Sequence, residues 1–110
     1  MTTPGSRMRP YANLEGTDLS TIIATGASFY SANLKGVDLR GADLTRTNWR
    51  LTTLTGATLD KADLTGARNL KPSQLAEARS LHEATIDGAL RQELEEQHPK
   101  LIESLNESED

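Results

Sequence analysis

Side chains equipped for catalysis or metal binding are scarce in this chain. His82 and His98 are its only imidazoles, sixteen residues apart (98 − 82), and no set of carboxylates stands beside either at a metal-ligand spacing. Each therefore reads as a surface or helix-end residue, and neither a metal site nor a cofactor is expected. The lack of cysteine excludes thiolate zinc sites, disulfide frameworks and cysteine nucleophiles. No Ser/His/Asp constellation can be placed, and no GxxxxGK loop is present to cradle a phosphate. Two groups remain. Asp18, Asp38, Asp43 and Asp63 would, if stacked, suit a cation or imitate nucleic-acid phosphates; hydrogen bonding to the local backbone is the competing role for such side chains. Tyr30, Arg46, Arg50 and Leu51 form the candidate partner-binding set, because Arg and Tyr are enriched where protein interfaces concentrate their energy. What either group does depends on the scaffold beneath it.

That scaffold is small and lean in apolar side chains. With 110 residues the chain is sized for one domain. Leu, Ile, Val and Phe number 22, or 20% of 110, at the compositional border of disorder. The net charge of −4 is too small to complete that case, so an unusual fold is expected rather than none. Residues 11–68 carry six basic and six acidic side chains, and residues 69–110 carry four against ten. By this count no basic stripe for nucleic acid is offered. No stretch reaches the ~18 apolar residues of a membrane span, and the opening MTTPGSRMRP lacks the apolar core of a secretory signal. A cytoplasmic protein that binds neither nucleic acid nor membrane is expected.

From Ala12 the sequence divides into fives: ANLEG, TDLST, IIATG, ASFYS, ANLKG, VDLRG, ADLTR, TNWRL, TTLTG, ATLDK and ADLTG. The third position supplies the expected core: Leu14, Leu19, Phe29, Leu34, Leu39, Leu44, Trp49, Leu54, Leu59 and Leu64. Ala24 interrupts this series, and Ile22 in the same block offsets the lost volume. Of the leucines from 14 to 64, only Leu51 is out of register. A period of five fits neither helix nor alternating strand. It predicts a chain that turns a corner every five residues and sends the first and third side chains inward, with Gly, frequent in the fifth position, suited to the corner.

These A-(N/D)-L-x-x blocks resemble the pentapeptide repeat family over about residues 11–68. The resemblance implies an all-β solenoid: a right-handed quadrilateral parallel β-helix of about three coils, four blocks to a coil, with a C-terminal α-helical cap. The divisions expected are an N-terminal arm at 1–10, the repeat at 11–70, a helical cap at 71–106 and a polar tail at 107–110. On a square coil, residues twenty apart stack. Phe29 then lies against Trp49, whose indole N–H needs an acceptor. Outward columns would set Glu15 against Lys35, Arg40 against Asp60, and Tyr30 against Arg50 as a cation–π pair, with a ladder of Thr25, Thr45 and Thr65.

The ends of the stack need covers, because an open coil exposes unpaired backbone. At the C-terminal end KPSQLAEARS reads as a short helix with Pro72 in its first turn, and its start at Lys71 is a weak cap that predicts fraying. SLHEATID resembles the repeat-like strand that returns to the stack in this family, with Leu81, Ala84 and Ile86 facing in. A second helix is expected from about Asp87 to Gln97, followed by a further turn or two after Pro99. Met8, Pro10 and Tyr11 are the only lid residues at the other end, so a weak homodimer through the first coil is expected if they leave it open.

Outward carboxylates on a convex surface do not make the concave site that catalysis requires. The reading is a non-enzymatic structural or protein-interaction module with an unidentified protein partner. The alternative comes from the resemblance: long acidic members of the family mimic DNA and modulate type II topoisomerases such as DNA gyrase. The charge balance of residues 11–68 and the short stack favour the first.

Overall fold

A computed structural model describes residues 11–106. The expected N-terminal arm, including Met8 and Pro10, and the tail at 107–110 lie outside the described residues.

Pairing between segments twenty residues apart organises the chain into four walls. Parallel bridges join Asn13, Asn33 and Thr53 on the first wall, Asp18, Asp38 and Thr58 on the second, Ile23, Asp43 and Asp63 on the third, and Ser28, Asn48 and Arg68 on the fourth. Each bridge is a single residue, so the described residues hold isolated bridges where strands were expected. The chain turns too soon for anything longer. Consecutive amides point in opposite directions along the stack: Asn33 N–H donates to the Ala12 carbonyl at 2.9 Å, and Leu34 N–H donates to Thr53 at 3.0 Å. Each block of the middle coil, 32–51, is thereby tied to the blocks before and after it on its own wall.

Corners are closed by a short backbone bond, such as Val37 N–H to the Leu34 carbonyl at 3.1 Å, and by a left-handed fifth residue. From Tyr11 to Gly66 six of these corners are Gly, and six are Tyr11, Thr21, Ser31, Arg46, Leu51 and Lys61, with φ between 55° and 65°. A side chain in this region costs about 1–2 kcal/mol. The stacking, and not glycine, therefore imposes the corner, and it leaves Leu51 pointing outward.

Phe29, Leu34, Leu39, Leu44, Trp49, Leu54, Leu59 and Leu64 are buried, with Ala27, Ala32, Val37, Ala42, Ala57 and Ala62 completing the interior. Ile22 and Ala24 are both buried, as the volume exchange requires. Leu14 and Leu19 depart from the expected core: they pack against it but are only partly covered, because among the described residues no coil lies beneath theirs. The Phe29 and Trp49 rings stack at 4.7 Å and 25°. Trp49 Nε1–H donates to Thr47 Oγ at 2.6 Å, and the Thr47 hydroxyl donates to the Leu44 carbonyl at 2.6 Å. The wall needs no bulge, since the first-position Thr supplies the acceptor from within its own block.

The fourth wall ends the regular register. Where the third position should bring a large apolar side chain, Asn69 is left-handed (φ 59°) and Leu70 turns in instead. Helix α1, Pro72–Ala76, follows. The bridges then resume at Thr58 with Ser80 and Asp63 with Thr85, a separation of 22 (80 − 58, 85 − 63) in place of twenty. Two residues have been inserted, and Arg79–Glu83 and Ala84–Gly88 run as two further blocks. The expected single returning strand is thus two walls, with Leu81 and Ala84 buried and Ile86 half-buried. Helices α2, Gly88–Gln97, and α3, Pro99–Asn106, bury Leu94 and Leu105. Glu83 N–H donates to the Leu105 carbonyl at 3.2 Å, which ties α3 back to the last blocks.

The first turn of α1 has a cap that its start at Lys71 did not suggest. Gln74 Oε1 accepts the Lys71 N–H at 2.8 Å, and Gln74 Nε2 donates to the carbonyls of Trp49 at 2.7 Å and Thr52 at 3.0 Å. One amide both caps the helix and pins it to the stack.

Candidate functional site

The second-position side chains are committed to their own backbone. In eight blocks a side-chain oxygen, from Asn13, Asp18, Ser28, Asn33, Asp38, Asp43, Asn48 or Asp63, accepts the N–H two residues on. Hydroxyls reinforce this: Thr45 donates to Asp43 at 2.7 Å and Thr65 to Asp63 at 2.6 Å. The Asp43 carboxyl is held below the usual carboxylate range, first by the Thr45 hydroxyl, then by the Thr45 amide, with lesser help from Thr25 and the Arg46 charge. Asp38 is lowered chiefly by Arg40, and Asp18 by Ser20. Among the described residues no group of three or more His, Asp or Glu side chains is arranged to hold a metal ion.

The two expected charge columns do not pair across coils, although Lys61 meets Glu83 of the next coil at 3.9 Å. Arg40 forks onto Asp38, its own neighbour two residues back, at 2.7 and 2.9 Å, in place of Asp60. Glu15 accepts from Asn33 Nδ2 at 3.2 Å. Second and fourth positions of one block share a wall, and the backbone bond already aims the carboxylate at the fourth residue. The threonine ladder survives weakly, with Thr45 and Thr25 hydroxyls 3.4 Å apart.

The four partner-binding candidates lie around the fourth wall but not in one cluster. Arg50 and Leu51 meet in a groove of about 510 Å³ completed by Thr52, Asn69, Lys71 and Gln74, where α1 leaves the stack. Leu51 is 65% exposed. Tyr30 sits one coil away and is half-buried, and its ring contact is with Tyr11, edge-on at 5.3 Å and 79°, where Arg50 was expected. Arg46 stands at the opposite corner of the wall, against Gly66. The groove residues Asn69, Lys71 and Gln74 escaped sequence reasoning: the last fourth-wall block sets Asn69 and Lys71, and α1 sets Gln74, beside residues twenty or more positions earlier. His82 is half-buried with Nδ1 at 3.2 Å from the Ser104 carbonyl, a contact that requires the ring nitrogen to donate. Among the described residues no helix is long and apolar enough to cross a membrane.

The chain is similar to a pentapeptide repeat protein from the Arabidopsis thaliana thylakoid lumen, at 21% identity over 78% of this chain and 67% of that one (TM-score 0.40). It is also similar to HetL, a pentapeptide repeat protein involved in heterocyst differentiation regulation in the cyanobacterium Nostoc sp. strain PCC 7120, at 30% identity over 74% of this chain (TM-score 0.33); the chain spans only 41% of HetL. A further pentapeptide repeat protein from Nostoc PCC 7120 is 27% identical over 77% of this chain and 74% of its own length (TM-score 0.42). No curated protein sequence gives a significant match. The family model for Pentapeptide repeats matches eight copies across residues 11–41 and 32–68. With just over half of its length accounted for by that match, and the bridges repeating every twenty residues as four five-residue walls require, the chain belongs to the pentapeptide repeat family.

Proposed function

We propose that the chain is a non-enzymatic protein-interaction module: a right-handed square prism of about three coils spanning 11–70, closed at one end by the helical segment 71–106. The twenty-residue bridge register supports the coil count, and the burial of Leu75, Leu94 and Leu105 supports the cap. One observation carries the functional reading. The second-position carboxylates and amides are bonded to their own backbone, whereas Arg50 and Leu51 on the fourth wall and Arg46 at its far corner stand exposed, the two arginines with no ion pair to a described residue. The partner surface proposed is therefore Tyr30, Arg46, Arg50 and Leu51. Replacing Tyr30 and Arg50 together with Ala should abolish capture of a native partner while leaving the melting curve intact; retained capture would overturn this surface.

The DNA-mimic reading has weaker support. Asp18, Asp38, Asp43 and Asp63 are divided between two walls and satisfied locally, so no long anionic stripe is offered. A gyrase supercoiling assay that shows inhibition by added protein would reverse this ranking. The weak homodimer proposed at the first coil is checked by sedimentation at high concentration, where a pure monomer removes it.

A further inference from the structure

The balance of charges in the repeat conceals their placement. Of the seven Lys and Arg residues in 11–71, Arg50, Arg68 and Lys71 belong to the fourth-wall blocks and Arg46 stands at that wall's corner with the third, whereas none of the six acidic residues lies in a fourth-wall block. Asp18, Asp38 and Asp60 occupy the second wall, Asp43 and Asp63 the third, and Glu15 the first. All four cations are exposed, and none forms an ion pair with a described residue. Arg68 spends one N–H on the Arg46 carbonyl at 3.4 Å, which links the corner to this wall.

We propose that the fourth wall docks a short acidic peptide segment, with one apolar side chain seated in the groove beside Leu51. The proposal rests on the interaction-module reading and specifies the partner's chemistry. Inside the groove the polar atoms of the floor are already used: the Gln74 amide binds the Trp49 and Thr52 carbonyls, and Asn69 Nδ2 donates to Asn48 at 3.0 Å. What the groove still offers is the aliphatic surface of Leu51 between the charges of Arg50 and Lys71. An apolar residue flanked by carboxylates complements that pattern. Three coils at about 4.8 Å spacing make the wall only ~10 Å tall, room for about three or four extended residues. Nucleic acid fits less well. A duplex carries a charge every ~1.7 Å of axis and would extend phosphates over Asp43 and Asp63 on the adjoining wall, and the two tyrosines at this wall's first-coil end, Tyr11 and Tyr30, meet each other edge-on.

The test is fluorescence anisotropy of the full chain with a fluorescein-labelled ten-residue peptide of aspartates and glutamates around one central leucine. Three further probes are the same peptide with asparagine and glutamine, the same peptide with serine in place of leucine, and a labelled ten-nucleotide single-stranded DNA. The acidic peptide should bind, weaken with rising salt, and lose about tenfold in affinity with Arg50→Glu plus Lys71→Glu. Loss of the leucine or Leu51→Ser should also weaken it, whereas Lys35→Glu, on the first wall, should not. Melting curves verify that each variant folds, and the salt series tests the charge dependence without any substitution. Equal binding of acidic and neutral peptides, indifference to Arg50→Glu plus Lys71→Glu in folded protein, or DNA binding at least as tight as the acidic peptide would each overturn the proposal. If peptide binding fails while Tyr30→Ala with Arg50→Ala still abolishes capture of a native partner, the partner's chemistry is wrong and the interaction module stands. If capture ignores that pair while peptide binding follows Arg50, the module's surface is wrong and the acidic-peptide site stands.

Discussion

Among the described residues, Thr47 holds the one fully buried hydrogen bond between two side chains, and Thr47→Val tests it with almost no change of shape. Valine keeps the β-branch but removes a hydroxyl that accepts from the Trp49 indole at 2.6 Å and donates to the Leu44 carbonyl at 2.6 Å. Both groups lie where water does not reach, since Thr47 and Trp49 are fully buried. Leaving a buried donor or acceptor without a partner costs about 1–3 kcal/mol, so the two together should cost about 2–5 kcal/mol. For a domain of this size that is a fall in Tm of about 10–30 °C. Thr47→Ser keeps the hydroxyl and should lose only about 0.8 kcal/mol for the missing methyl. Trp49→Phe removes the indole donor, so combining it with Thr47→Val should cost less than the sum of the two, with a coupling of about 1–3 kcal/mol. The assay is chemical denaturation of the four proteins and the wild type under one set of conditions. A Thr47→Val protein as stable as wild type, or a coupling below about 0.5 kcal/mol, would refute the claim that this bond supports the aromatic column.

Other expectations follow from packing, corners and charge. Leu39→Ala empties a fully buried third position in the middle of the stack and should cost about 2–5 kcal/mol; an unchanged melting curve would remove Leu39 from the core. Gly16→Ala meets nothing within 4 Å, whereas at Gly66 a new Cβ would come within 3.0 Å of Arg46 Cγ and 3.5 Å of its backbone N. Both glycines have φ near 70°, so Gly16→Ala should cost only the corner's ~1–2 kcal/mol, and Gly66→Ala measurably more; equal melting temperatures would sink that contrast. The lowered Asp43 carboxyl is stabilising above the unfolded value of about 3.9, and this contribution is lost as pH falls through the folded value. Asp43→Asn should therefore flatten the loss of stability on acidification below pH ~4, read as denaturation midpoints; an unaltered slope would mean that Asp43 does not couple to folding.

The central columns were legible because a large side chain is needed inward once per block and nothing else satisfies that spacing. Trp49's need for an acceptor was equally legible, although its partner was not, since a first-position Thr looks like any other small residue. Gln74 and the two-residue insertion escaped for a different reason. Their effect is set by contacts with residues 22 to 25 positions earlier, and local pattern carries no trace of them. The ion pairs were misplaced because stacking distance was weighed and the closer neighbour two residues back, Asp38 for Arg40, was not. Counting charges over residues 11–68 as a sum also hid their separation, which shows only when each is placed on its wall.

The twenty-residue register also governs how the length of this protein can change. Excising residues 32–51 would join Ser31 to Thr52 and return every remaining block to its own wall, with α1 still leaving from the fourth. Excising one block of five would turn everything beyond it by a quarter of a revolution, setting Phe29 beneath Leu54 in place of Trp49 and dividing the cations of the fourth wall between two faces. Apart from a few residues absorbed within one wall, as the two extra residues before Arg79 are, insertions and deletions that keep the register are therefore quantised in whole coils, although the visible repeat is only a quarter of one.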